Sequence, residues 1–200
     1  MSAQTEMLGG RLPLLDPSTL SAAQKETYEH LNKTWVPWAN GVPFQSKLED
    51  GRFIGPFNPI LFSPAISSSF LELQETEQKN TSLNQRVRQV VILTVGAVWK
   101  SNYELYAHGA AARKAGISED AIRTLTTGGL PDDLSEQEKI AQRYARQLSA
   151  EHRVEAALYK IAEHAFGKQG LVEMTYLIGI YHIVCSLLNA FEVPAPGQEV

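Results

Sequence analysis

The chain has 200 residues, of which 44% are hydrophobic and 20% charged, with a formal net charge of −4. That length and composition suit one globular domain, 1–200, able to bury a core without staples, and they exclude a disordered chain. The mildly acidic balance gives no electrostatic footprint for nucleic acid, and a single cysteine, Cys185, excludes an intramolecular disulfide framework and fits a reducing, cytoplasmic setting.

The segment from Met1 to Arg11 has no basic stretch followed by an apolar one, so no signal peptide is expected. Residues 1–19 read as an irregular arm. Ser21 with Gln24 three residues on is a capping-box pattern, and it predicts a helix running to about Trp35. Residues 36–58 carry Pro37, Gly41, Pro43, Gly51, Gly55 and Pro56, a density that predicts neither helix nor regular strand. The same stretch is rich in aromatics, which predicts a loop packed onto something, either a wall of the active site or a neighbouring subunit.

Pro64 suits the first turn of a helix over about 63–79. Ser82 and Gln85 suggest a cap for the next helix, in which Val87, Val90, Val91, Val95 and Val98 recur at helical spacing. Its flanks are apolar too, so this helix is expected to be buried on most sides. Asn102 to Ala115 predicts a helix with an alanine face, ended by Gly116. Ser118 caps a short helix, and Ser135 with Glu138 forms another capping box that opens a helix to about Ala150. Two more helices are predicted over about 154–166 and 169–191, stopped by Pro194 and Pro196. Strand signals are few, so the fold class expected is all-α.

The stretch from Leu171 to Leu188 is the most apolar. It carries Glu173, Gly179 and His182, so it reads as a core or subunit-interface helix and not as a membrane span. Its apolar circumference predicts a homo-oligomer. Cys185, inside this run, reads as a buried thiol behaving as a small hydrophobe.

Glu104 and His108 are the candidate chemistry. Four residues apart on a helix, they share a face with Cβ atoms ~5–6 Å apart. A carboxylate there accepts from one imidazole nitrogen, fixes the tautomer and raises the ring pKa, leaving the other nitrogen to move a proton. Arg86 and Arg88 are candidates for forking onto a substrate carboxylate, and Tyr103 for donating to a substrate oxygen. Trp99 and Gln89 complete the candidate substrate-binding set. His182 reads as a satisfied core histidine, and His30, His152 and His164, among charged neighbours, as surface residues. The sequence holds no HxxxH or HExxH spacing, so neither a metal nor another cofactor is expected.

The run from Gln85-Arg-Val-Arg-Gln89 through Tyr103-Glu-Leu-Tyr-Ala-His108 to Lys114-Ala-Gly116-Ile-Ser118 resembles the carboxymuconolactone decarboxylase family of the alkylhydroperoxidase-D-like superfamily. The resemblance extends to Gly55-Pro56-Phe57-Asn58, to Ser63-Pro64, to Tyr181, and to Leu188 through Pro194. It implies an alkylhydroperoxidase-D-like helical bundle that assembles as a trimer or hexamer. Peroxidases of the superfamily carry Cys-x-x-Cys where this chain has Ser101 and Glu104, so thiol cycling is not expected. The decarboxylase branch keeps Glu and His. It implies a lyase acting on a small carboxylated lactone or related acid, with His108 carrying the proton and Glu104 orienting it. The family usually has a glutamate where Gln89 stands, and Gln89 cannot ionise. The rival expectation is a non-catalytic, oligomeric ligand-binding protein on the same fold.

Overall fold

Polar side chains that satisfy free backbone N–H groups set the start of most helices in the computed structural model, which describes residues 8–197. The first seven residues of the arm, and with them most of the segment read for a signal peptide, lie outside the described residues. The chain, read from sequence as a single domain, divides into two compact units, Met1–Glu75 with Ser186–Val200, and Thr76–Cys185.

In the first of these units the arm is tied down by Asn58. Its amide oxygen accepts from Leu15 N at 3.2 Å and its amide nitrogen donates to Pro13 O at 3.2 Å. Ser21 and Gln24 form the capping box predicted for α1, Ala22–Lys33. The segment expected to be irregular contains a further short helix, α2, Trp35–Asn40. Pro37 is tolerated because it lies in the first turn, where its missing N–H has no intrahelical partner to lose. After a lone bridge between Lys47 and Phe53 comes the single turn α3, Phe57–Ile60. The aromatics of this stretch pack on one another. Tyr28 meets Phe53 at 4.7 Å between ring centroids, Phe53 meets Phe57 at 6.0 Å, and Trp38 stands edge-on to Phe44 at 5.5 Å. Phe53 and Phe57 join Leu31, Ile60, Leu61 and Leu71 in the core of this unit. Leu71 belongs to α4, Pro64–Asn80.

The other unit is built around α5, Gln85–Trp99. The cap is Asn84 and not the expected Ser82: Asn84 Oδ1 accepts from Val87 N at 2.9 Å. Ser82 is engaged elsewhere, with its backbone N and its hydroxyl both donating to Glu173 Oε2. Every residue from Val87 to Gly96 is buried, which is why a β-branched run can be helical here. The start is capped, and the following α6, Asn102–Lys114, α7, Glu119–Thr126, and α8, Glu136–Glu151, all pack against it. Ser118 and the Ser135–Glu138 box cap α7 and α8 as predicted. The last helix, α9, spans Ala156–Ala190 and is broken at Gly167, whose φ of 67° only glycine adopts without strain. The two helices expected there therefore meet at one residue. By length and composition α9 is apolar enough to cross a membrane, although much of its apolar stretch is buried within the fold. Among the described residues no strand forms beyond the lone bridge, so the chain is all-α.

Candidate functional site

Two helix ends build the site. At the end of α5, Lys100 adopts the left-handed conformation, and Ser101 N bonds back to Gly96 O at 3.0 Å, turning the chain sharply into α6. Gly96 lets α6 come close, since a Cβ there would lie 3.0 Å from Leu105 Cδ2 and 3.4 Å from Glu104 Cγ. This close approach sets Glu104, in the first turn of α6, and His108, one turn on, against α5.

Glu104 and His108 are both buried, 2% and 5% exposed, and Glu104 Oε1 lies 3.2 Å from His108 Nε2. The other ring nitrogen is held by Gln89, with Nδ1–H donating to Gln89 Oε1 at 2.8 Å. The tautomer is thus fixed by Gln89 from α5 and not, as expected, by Glu104. Nε2 is left with its lone pair facing the carboxyl group. The Tyr181 ring stands edge-on to His108 at 5.0 Å.

Burial decides the charge state. Desolvation pushes the Glu104 carboxyl up to about 8. It pushes the His108 imidazole down to about 3, and the Arg88 charge acts in the same direction. The expected rise of the ring pKa is therefore reversed: so little water reaches the pair that charging either member costs more than their attraction returns. Their 3.2 Å approach is accordingly a neutral contact at pH 7, a carboxylic acid facing an imidazole lone pair. Glu104 Oε1 and the neighbouring Ser101 Oγ make no hydrogen bond of normal geometry. Such orphans are rare in interiors, because each one costs free energy to bury. Cys185, fully buried, lies near Ser101 and Glu104, and its thiol is pushed far above its ordinary range by desolvation and by the carboxyl charge.

The other sequence candidates are placed as follows. Arg88 is buried and forks onto Glu77, Nη2 to Oε2 at 2.7 Å and Nη1 to Oε1. Arg86 donates to Glu138 Oε1 at 2.6 Å and to Gly116 O. Both guanidinium groups offered as carboxylate clamps are thus taken up by protein oxygens. Tyr103 is buried and packs edge-on to Tyr106. Trp99 lies beside His182, which bonds Ser149 Oγ at 2.9 Å. The structure therefore brings Glu104, His108 and Gln89 together, while Trp99 pairs with His182 and Tyr103 with Tyr106. Sequence reasoning missed Glu77, which is eleven residues before Arg88 on a different helix, a separation with no local periodicity to betray it. Of the histidines read as surface residues, His30 is half-buried, with Nε2 2.7 Å from Glu75 Oε1. Among the described residues no cluster of three His, Cys, Asp or Glu side chains suits a metal ion.

The chain is thus all-helical, with a buried Glu–His–Gln contact and no thiol in the turn that leads into α6. Residues 64–147 match the model of the carboxymuconolactone decarboxylase family. The fold is similar to an alkylhydroperoxidase AhpD core, an uncharacterized peroxidase-related protein from Ralstonia eutropha JMP134, with a TM-score of 0.72 and 15% identity over 94% of this chain and 93% of that one. An uncharacterized peroxidase-related protein from Silicibacter sp. TM1040 gives 0.71 and 14% over 94% and 93%. An alanine-for-cysteine variant of the debrominase Bmp8, in complex with 2,3,4-tribromopyrrole, gives 0.70 and 12% over 94% of each chain. At such identities the likeness is one of fold. No curated protein matches the sequence.

Proposed function

We propose that the protein is an enzyme of the lyase type, decarboxylating a small carboxylated lactone or a related acid by proton transfer through Glu104 and His108. The observation that carries this reading is the orphaned Glu104 Oε1, buried and 3.2 Å from the unprotonated Nε2 of a tautomer-fixed imidazole. Loss of carbon dioxide leaves an electron pair on carbon, delocalised into a neighbouring carbonyl, and that carbon then needs a proton. A carboxyl group whose pKa is raised to about 8 still holds its proton at neutral pH. Glu104 can deliver that proton to carbon directly, while Nε2, 3.2 Å away, orients the carboxyl group and Gln89 keeps the ring from rotating. The proton comes from Glu104, so an ionisable group at position 89 is not required for this step. Arg86 and Arg88 play no part in it, since both are already paired.

The test is product formation from a panel of carboxylated lactones and β-keto acids. Glu104→Gln should lower turnover by ~10²-fold or more, the usual contribution of a positioned general acid, and His108→Ala, which removes the group that orients it, should also lower it. Unchanged turnover in His108→Ala would sink the assignment. A non-catalytic ligand-binding protein on the same fold is the second reading, favoured by the non-ionisable Gln89; it requires saturable binding with no product. A thiol-dependent peroxidase would need a reactive cysteine. The chain's only cysteine is the buried Cys185, so thiol-blocking reagents should leave activity unchanged. We further propose that the protein works as a homo-oligomer, a trimer or hexamer.

A further inference from the structure

The unit formed by Met1–Glu75 with Ser186–Val200 has a cavity of its own, about 540 Å³, between α1 and the first half of α4. Small residues line it on both helices, Ala23 on α1 and Ala65 and Ser68 on α4. Its floor is apolar, with Leu71 buried at 2% exposure. The size and the apolar lining are those of small-molecule sites, and such sites add a few convergent polar groups.

Here those groups are three carboxylates, Glu26, Glu72 and Glu75, with the imidazole of His30. No lysine or arginine lines the cavity. Glu75 accepts from His30 Nε2–H at 2.7 Å, which fixes its position, whereas among the described residues Glu26 and Glu72 have no ion-pair partner. An apolar pocket rimmed by uncompensated negative charge is complementary to a cation with an apolar body. It is a poor site for a bare divalent ion, because no three of these groups are disposed as ligands. We propose that this cavity binds a small organic cation, an amine or amidinium on an apolar frame, with the apolar part against Leu71 and the charged head among Glu26, Glu72 and Glu75.

The proposal does not depend on the lyase reading, and its test uses the full chain with defined probes. Phenethylamine and benzamidine are titrated by calorimetry at low ionic strength, beside 2-phenylethanol and 3-phenylpropanoate, which keep the ring and remove or reverse the charge. At least one cation should bind saturably, at least about tenfold more tightly than the neutral alcohol, while the carboxylate does not bind. Added salt should weaken the binding. The double variant Glu26→Gln, Glu72→Gln removes exposed carboxylates and should raise the Kd about tenfold or more. Ala65→Phe should block binding by filling the cavity, and His108→Ala should leave it unchanged. The proposal is overturned if neither cation binds saturably, if cation and alcohol bind equally, or if binding survives both the charge-removing and the cavity-filling variants.

Discussion

At the scale of single residues, Glu104 and His108 are opposite cases of one effect. Each is fully desolvated, so each keeps its neutral form, and the two pull stability in opposite directions as pH changes. Glu104 holds its proton in the fold up to about 8, while in the unfolded chain it titrates near 4.5. Between these values the unfolded state gives up a proton that the folded state retains, and stability falls as pH rises. His108 stays neutral in the fold down to about 3 but protonates near 6.5 when unfolded. Stability therefore also falls as pH drops below 6.5. Each slope reaches at most ~1.4 kcal/mol per pH unit. Urea unfolding across pH should show Glu104→Gln gaining on the wild type between pH 5 and pH 8. His108→Gln should gain on it between pH 6.5 and pH 4. A wild-type-to-variant difference that is flat in pH would contradict the assigned protonation states. The sequence held part of this. The spacing of four put Glu104 beside His108, and the residue types named the acid and the imidazole. Spacing cannot report solvent, so the sequence alone pointed to a carboxylate raising a ring pKa. The helix packing instead removes the water that would have made that charge separation affordable.

At the scale of elements, local signals were legible wherever a polar cap meets an apolar period, as at Ser21, Ser118 and Ser135. They misled where two caps compete within three residues. Ser82 reads as the start of α5, but Glu173 from α9 captures both its backbone N and its hydroxyl, leaving Asn84 to cap the helix. The helix α2 was hidden because Pro37 counts against helix everywhere except in a first turn. Gly96 makes an element-level prediction. Alanine in a helix interior is ordinarily better than glycine by about 1 kcal/mol. At this position the added Cβ would press on Leu105 and Glu104 at 3.0 and 3.4 Å, and overpacking typically costs ~1–3 kcal/mol. Gly96→Ala should therefore lower the urea midpoint, and it should lower turnover more than stability alone would explain, because Glu104 is one of the groups displaced. A raised midpoint with unchanged turnover would mean that α6 has more slack than these distances allow.

At the scale of the whole molecule, the question is what covers α9. Its inward face supplies Leu171, Met174, Leu177, Ile178 and Tyr181 to the interior. Its outward face leaves Val172 at 55%, Tyr176 at 58% and Ile183 at 46% exposure, and the space around Gly179 is empty. Positions 172, 176, 179 and 183 follow a four-three-four spacing, the repeat by which two helices pack along a shared seam. A glycine in the middle of such a seam permits close backbone approach, and none of its four positions carries a charge. Burying three large side chains of this kind is worth several kcal/mol per copy at ~25 cal/mol per Å², which is of the order needed to offset the entropy of association once other contacts join it. Multi-angle light scattering at micromolar concentration should accordingly give a mass of at least two chains. The double variant Val172→Lys, Ile183→Glu should lower that mass to one chain while leaving helical content intact, since both side chains point away from the interior. A monomeric wild type would remove the homo-oligomer. An assembly that survives the double variant would instead move the seam to another exposed apolar stripe, such as Ile66 and Leu73 on α4.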